Sequence, residues 1–124
     1  MIVRKLVLTA AALALSASSA FAVDDAKNGA AVFQRCAICH TTTKGGGNGV
    51  GPDLFDIVGR KAASMPNFYY SQALKSSGIT WTPDKLDAWI KSPATLVPGN
   101  RMAFAGLDNA QQRADVVAFI ATLK

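Results

Sequence analysis

The chain's two cysteines and its single histidine all lie in one short stretch, CAICH, from Cys36 to His40. Thiols and imidazoles bind metals and act as nucleophiles, and two thiols can also form a disulfide. A disulfide between cysteines this close in sequence closes a very small loop and constrains little of the unfolded chain, so it would stabilise the fold poorly. The cluster therefore indicates a chemical site rather than a structural cross-link.

Four interpretations of CAICH make different demands on the sequence. A thioredoxin-like redox pair follows a buried strand, but the preceding residues AKNGAAVFQR show no alternating β-branched run. A zinc site needs three or four ligands, and Cys36, Cys39 and His40 are too close together to close a tetrahedron. Chance would rarely cluster these residues in this order. The C-x-x-C-H spacing favours the fourth interpretation, which is covalent attachment of a c-type haem.

Haem attachment gives each residue of the motif a role. The two thiols add to the porphyrin vinyl groups as thioethers, and on a helical turn Cys36 and Cys39 reach one edge of the ring. His40 then supplies a nitrogen ligand to the iron. We therefore predict one haem c, covalently bound through Cys36 and Cys39, with His40 as an iron ligand.

The iron ligand opposite His40 decides what such a haem does. Apart from Met1, the sequence holds two methionines, Met65 and Met102, and no second histidine. Met102 lies in SPATLVPGNRMAF, where two prolines and a glycine predict an irregular, non-helical loop. Met65, in ASMPNF, is interpreted as a packing residue. We predict Met102 as the second metal ligand, because a thioether suits iron in a buried apolar site.

Residues 1–22, MIVRKLVLTAAALALSASSAFA, have the layout of a secretory signal peptide, with a basic start, an apolar middle and an Ala-x-Ala end. We expect their removal, leaving a domain over residues 23–124; the alternative is an uncleaved anchor, for which the apolar run is short.

Loss of Arg4 and Lys5 lowers the formal charge from +5 to +3. The remaining basic residues are too scattered for a nucleic-acid-binding surface, and nothing after Ala22 predicts stable membrane insertion. The expected location is the periplasm of a Gram-negative bacterium.

Four segments together resemble class I cytochrome c, specifically the bacterial relatives of the mitochondrial protein. They are CAICH, GPDLFDIVGRK, GITW and PGNRMAFAG, and the likeness covers nearly all of residues 23–124. CAICH alone indicates only the cofactor, whereas the proline-glycine-x-basic-methionine-x-phenylalanine string makes the resemblance specific. The resemblance implies an all-α, single-domain cytochrome c fold whose helices and loops wrap around one haem.

The resemblance also implies roles for residues around the haem. The Pro52 carbonyl would accept a hydrogen bond from His40 Nδ1 and orient the ring. Arg60, Tyr70 and Trp81 match positions that surround the haem propionates, where their donors would offset the cost of burying carboxylates.

Two positions depart from the common mitochondrial pattern. Trp89 stands where a tyrosine often contacts the methionine sulfur, and Leu74 stands where an asparagine often joins a buried water network. Both departures would make the Met102 side of the haem less polar.

Capping residues and periodicity predict helices and no convincing strand. A first helix is capped by Asp24 or Asp25 and runs to about Cys36. Gly29 in its interior is a local cost that close packing against another helix offsets.

Two further helices are predicted in the second half of the chain. In WTPDKLDAWIKSP, Thr82 is the N-cap, Pro83 is the first helical residue, and the helix stops before Pro93. Asp108 is expected to open the last helix. Apolar stripes at helical spacing are formed by Leu86, Trp89 and Ile90, and by Val116, Phe119, Ile120 and Leu123.

These features predict a monomeric one-electron carrier and no enzyme. With His40 and Met102 both bound, iron would have no vacancy for a substrate, and a methionine ligand favours a fairly high potential. The expected partners are redox proteins, either a membrane reductase or oxidase or a periplasmic dehydrogenase. Two alternatives stay open: a haem enzyme with an open sixth site, peroxidase-like or gas-binding, and a dedicated subunit of one oxidoreductase complex. A sparse positive face for acidic partners would be formed by Arg35, Lys44, Lys91 and Arg101.

Overall fold

The computed structural model describes residues 24–124. In this part of the chain the helices are α1 Ala26–Ala37, α2 Gln72–Lys75, α3 Pro83–Lys91, α4 Pro93–Leu96 and α5 Ala110–Ile120. No strand forms within these residues, and β pairing is limited to an isolated antiparallel bridge between Lys61 and Thr80. The prediction of an all-α fold is confirmed. The predicted signal peptide, residues 1–22, lies outside the described residues.

Helix α1 begins at the cap that the sequence predicted. The Asp25 carboxylate accepts hydrogen bonds from the backbone N–H groups of Lys27, at 2.8 Å, and Asn28, at 3.2 Å. These are donors that the first turn of a helix leaves without intrahelical partners. Because α1 runs to Ala37, Cys36 lies in its last turn and the rest of the C-x-x-C-H motif follows directly.

Helices α1 and α5 cross at Gly29. A Cβ atom on this residue would collide with the Asp115 carbonyl oxygen of α5 and would lie 2.9 Å from Phe119 Cβ. One turn further along α1, Phe33 packs on Phe119 with ring centroids 5.0 Å apart. The expectation that Gly29 permits close packing against another helix is therefore confirmed.

Helix α3 follows its predicted signals. The Thr82 hydroxyl accepts a hydrogen bond from the backbone N–H of Lys85 at 3.2 Å, and Pro83 is the first helical residue. The helix ends at Lys91, before Pro93, as expected. None of the helices in residues 24–124 combines the length and the apolarity of a membrane crossing.

Two short helices, α2 and α4, were not predicted from the sequence. Each is capped by a serine: Ser71 accepts from the N–H of Leu74 at 3.1 Å, and Ser92 accepts from that of Thr95 at 3.3 Å. The prediction of a non-helical loop after α3 is wrong for its first residues. Pro93 occupies the first helical position, where a missing N–H costs nothing, so it begins α4 instead of breaking it.

The cap of helix α5 lies one residue later than predicted. The cap is Asn109 rather than Asp108, because the Asn109 side chain accepts a hydrogen bond from the N–H of Gln112 at 2.9 Å. Both residue types cap helices well, so the sequence alone did not separate the two neighbours.

The buried core joins α1, α3 and α5. Its members are Phe33, Ile57, Trp81, Leu86, Ile90, Leu107, Val116, Val117 and Ile120. Several of them, including Trp81 and Ile120, also line a cavity that lies inside the fold. The core therefore continues directly into the walls of this cavity.

Replacing Gly29 by alanine should lower the free energy of unfolding by about 1–3 kcal/mol, because the added methyl group meets the α5 backbone. Denaturant unfolding of the haem-loaded protein measures this. Asn28→Ala, one residue away and exposed, is the matched control and should stay within about 0.5 kcal/mol of wild type. Equal stability of Gly29→Ala and the control would contradict the close crossing.

Candidate haem site

A cavity of about 340 Å³ opens within the core, a size found for small-molecule and cofactor sites. All eight site residues predicted from the sequence line it: Cys36, Cys39, His40, Pro52, Arg60, Tyr70, Trp81 and Met102. Met65 is not among the lining residues. The structure thus brings residues from distant parts of the sequence to one cavity, and it separates the two candidate methionines.

The end of α1 delivers the C-x-x-C-H motif to the cavity. The Cys36 carbonyl accepts hydrogen bonds from the N–H groups of both Cys39 and His40, each at 3.0 Å. This tight turn keeps the two half-buried thiols, which are not joined by a disulfide, beside the same cavity. Burial raises the pKa of the Cys36 thiol, although the Arg35 guanidinium acts in the opposite direction. The thiol is therefore protonated at neutral pH.

The His40 ring is fixed by a hydrogen bond to a neighbouring loop. Its Nδ1 lies 2.7 Å from the carbonyl oxygen of Pro52, and because a carbonyl only accepts, Nδ1 carries the proton. Burial lowers the pKa of His40 more than this hydrogen bond raises it. The ring is therefore neutral at neutral pH, with a lone pair on Nε2, which is the form of imidazole that binds a metal.

Gly51 is a further positioning residue that the sequence analysis missed. A Cβ atom here would collide with the His40 ring, at 2.7 Å from Nδ1 and 2.8 Å from Nε2. The Gly51 N–H also donates to the Cys39 carbonyl at 2.8 Å, which holds this backbone against the motif. Its place directly before Pro52 was the available signal, but the close approach to the ring depends on the tertiary fold.

Arg60 provides a donor with no acceptor in the described part of the chain. Its terminal nitrogens donate to backbone carbonyls, Nη1 to Phe55 at 3.0 Å and Nη2 to Asp53 at 3.3 Å. Its Nε is buried and has no hydrogen-bond partner among the described residues. A buried donor without a partner is costly, so this nitrogen marks a place where an anionic group such as a carboxylate would be stabilised.

Tyr70 and Trp81 lie near Arg60 on the same side of the fold. The backbone N–H of Trp81 donates to the Arg60 carbonyl at 2.8 Å, next to the isolated bridge. This hydrogen bond holds the two residues together. The Tyr70 hydroxyl accepts from the N–H of Met65 at 3.1 Å, so its own proton stays available. Burial raises the pKa of Tyr70, against the Met65 hydrogen bond and the Arg60 charge. It therefore remains a hydrogen-bond donor at neutral pH.

Met102 is presented by a turn in the segment after α4. The Asn100 side chain accepts from the N–H of Met102 at 2.9 Å and donates to the Val97 carbonyl at 2.9 Å. Asn100 was missed in the sequence analysis, although asparagine beside a Pro-Gly pair is a turn signal. The apolar side chains of Leu74 and Trp89 line the same cavity, as expected from the two departures noted above.

Comparisons with known proteins support one family. A family model for cytochrome c matches residues 26–124. Cytochrome c2 of Rhodomicrobium vannielii is 48% identical over 118 residues, which cover 95% of this chain and 94% of that protein. Cytochrome c2 of Blastochloris viridis is 41% identical over 117 residues, covering 94% of this chain and 91% of that protein. The chain belongs to the cytochrome c family.

The fold agrees with this assignment. The solved structure of cytochrome cH from Methylobacterium extorquens superposes with a TM-score of 0.75 at 37% identity, covering 79% of this chain and 98% of that one. The resemblance stated from sequence segments is thus confirmed. Proteins of the cytochrome c family are electron-transport proteins with a covalently attached haem c, and the cofactor prediction is confirmed with it.

The lining of the cavity fits a haem. Two thiols and a neutral imidazole lie at the end of α1, and the rest of the wall is largely apolar. The unpartnered Arg60 Nε and the free Tyr70 proton match the carboxylates that a haem carries. These buried polar groups would hold the polar edge of the cofactor.

Gly51→Ala should displace the His40 ring, weaken its hydrogen bond to Pro52 and lower the free energy of unfolding of the haem-loaded protein by about 1–3 kcal/mol. Denaturant unfolding followed by haem absorbance measures the loss. Val50→Ala, at the preceding exposed position, is the control and should change stability little. Wild-type stability of Gly51→Ala would show that the ring is not held in this way.

Proposed function

We propose that this cytochrome c is an exported one-electron carrier in which His40 and Met102 would both hold the haem iron. The observation that supports it most is that the cavity is lined by His40 and Met102 but not by Met65. When bound, haem supplies an iron that alternates between the ferric and ferrous states. With the iron held by both side chains, no coordination site would be left for a substrate.

The chain's own residues perform three tasks in this proposal. Cys36 and Cys39 hold the cofactor covalently. The Pro52 carbonyl keeps the proton of His40 on Nδ1, so that Nε2 faces the metal. Arg60, with Tyr70 and Trp81, supplies the donors for the propionates.

Apolar groups of the cavity wall exclude water. Leu74 and Trp89 line the cavity, and Trp89 packs edge-on against Trp81 with ring centroids 5.4 Å apart. A dry, apolar surrounding disfavours the more highly charged ferric state, as does a thioether ligand. Both effects raise the reduction potential, which suits a carrier that accepts electrons from respiratory or dehydrogenase partners.

The cavity mouth offers a surface for brief docking. Val50 lines the cavity while remaining 80% exposed, and Arg35, Lys61 and Arg101 line it too. Lys44 and Lys91 are exposed but do not line it. An exposed apolar side chain and several cations on one cavity wall favour weak contact with acidic redox proteins. The proposed site of action is the periplasm, reached by means of residues 1–22.

Met102→Ala tests the ligand assignment. The ferric protein should lose its long-wavelength sulfur–iron charge-transfer band, bind cyanide far more readily and show a lower potential, by on the order of a tenth of a volt or more. Absorbance spectra, cyanide titration and redox titration measure these changes. Met65→Ala is the matched control, since it removes the same side chain outside the cavity. If Met102→Ala keeps the band and excludes cyanide, Met102 is not the ligand.

Salt dependence tests the positive surface. Oxidation of the ferrous protein by ferricyanide, an anion, should slow as ionic strength rises from 0.01 to 0.15 M, because the screening length falls from about 30 to about 8 Å. Arg35→Gln should flatten this dependence, whereas Lys27→Gln, exposed at the start of α1 and outside the cavity, should not. A cationic cobalt oxidant should show the opposite trend. Rates independent of salt would remove the steering role and leave the carrier proposal standing.

A further inference from the structure

Tyr69 is a large aromatic side chain in an exposed position. It is 76% exposed, yet two cations lie over its ring: the Arg101 Cζ at 4.7 Å from the centroid and the Lys75 Nζ at 5.4 Å. Both distances are within the range of cation–π attraction. Burial therefore contributes little to holding this ring.

The two cations differ in where they lie along the chain. Lys75 ends α2, a few residues after Tyr69 in the same segment. Arg101 directly precedes Met102, in the segment after α4, and both Tyr69 and Arg101 line the cavity. The Tyr69–Arg101 contact therefore joins two segments at the mouth of the cavity, whereas the Tyr69–Lys75 contact stays within one segment.

The Met102 segment has few other links to the rest of the protein. In the described structure, the hydrogen bonds of residues 99–104 end on residues 97–104: Asn100 bonds to Val97 and Met102, and Met102 to Phe104. They join the segment to the end of α4 at Val97 and not to the segment that holds Tyr69. The remaining attachments are packing contacts, such as Phe104 against the buried core and Gly99 beside Ala73.

We propose that the Tyr69–Arg101 pair is a clamp that holds the Met102 segment closed and thereby sets how easily an outside ligand displaces Met102. This inference rests on the proposed role of Met102 as an iron ligand. Displacement requires the segment to open first, so the observed affinity for an outside ligand scales with the opening equilibrium. Loss of an exposed cation–π contact should raise that equilibrium, and the affinity, roughly 2- to 5-fold.

The test is a titration of the ferric haem-loaded protein with imidazole at one fixed pH and ionic strength. Tyr69→Leu and Arg101→Gln should each bind imidazole roughly 2- to 5-fold more tightly than wild type. The double variant should bind no more tightly than either single variant, because both remove one interaction. Tyr69→Phe keeps the ring and should behave as wild type.

Lys75→Gln and Met102→Ala are the matched controls. Lys75→Gln removes an equal charge from the same ring without cutting the link between segments, so its imidazole affinity should be unchanged. An increase as large as that of Arg101→Gln would overturn the clamp in favour of a general charge effect. Met102→Ala should bind imidazole far more tightly than every clamp variant.

The outcomes separate the two proposals. In one outcome, Met102→Ala binds imidazole tightly while Tyr69→Leu and Arg101→Gln bind it with wild-type affinity. This outcome overturns the clamp and leaves the ligand assignment standing. A lower thermal midpoint for those variants with unchanged affinity assigns them only a structural role, which also overturns it. If Met102→Ala binds no more tightly than wild type, the ligand assignment fails and the clamp falls with it.

Discussion

The close crossing of α1 and α5 fixes the geometry on which the haem site depends. At Gly29 the space of a side chain is taken by the α5 backbone at Asp115, so the two helix backbones pack closely at this point. That contact sets the direction in which α1 points and hence where Cys36 and the turn after it lie. Helix α5 also supplies Ile120 to the cavity wall. One helix contact thus positions both the attachment motif and part of the surface facing it.

The polar groups around Arg60 in the cavity wall are positioned by backbone hydrogen bonds. The Lys61–Thr80 bridge and the bond from Trp81 to the Arg60 carbonyl hold two loops together at their ends. Two nitrogens of the Arg60 side chain donate to backbone carbonyls, and these hydrogen bonds fix the direction in which Nε points. A donor that is already oriented loses little conformational entropy when an acceptor binds to it. The Arg60 Nε is therefore positioned to donate a hydrogen bond to such an acceptor.

The sequence predicted much of what depends on local chemistry, and it missed several contacts between distant segments. The α1 cap and the start of α3 were correct because Asp25 and the Thr82-Pro83 pair act on their own next turn. The S-P-x-T signal of α4 was also local, but the prolines were interpreted as helix-breaking. The contact of Gly51 with His40 had no local pattern, because it joins residues whose proximity only the folded chain creates. The same holds for Tyr69 and Arg101. The predicted roles of the cavity residues toward the metal remain predictions, although their common position is observed.

The two sides of the proposed iron site differ in how they are held. On the His40 side, the ring contacts the Gly51 backbone, bonds to Pro52 and follows directly from the end of α1. Moving it disturbs buried contacts and the helix crossing behind them, so its displacement costs a large part of the stability of the fold. On the Met102 side, the hydrogen bonds of residues 99–104 stay within the segment or end on Val97 at the end of α4, and the segment packs on the core through Phe104. Under the proposed ligation, exchange of ligands would begin at Met102, and the attachment of this segment would set how easily an outside ligand reaches the iron.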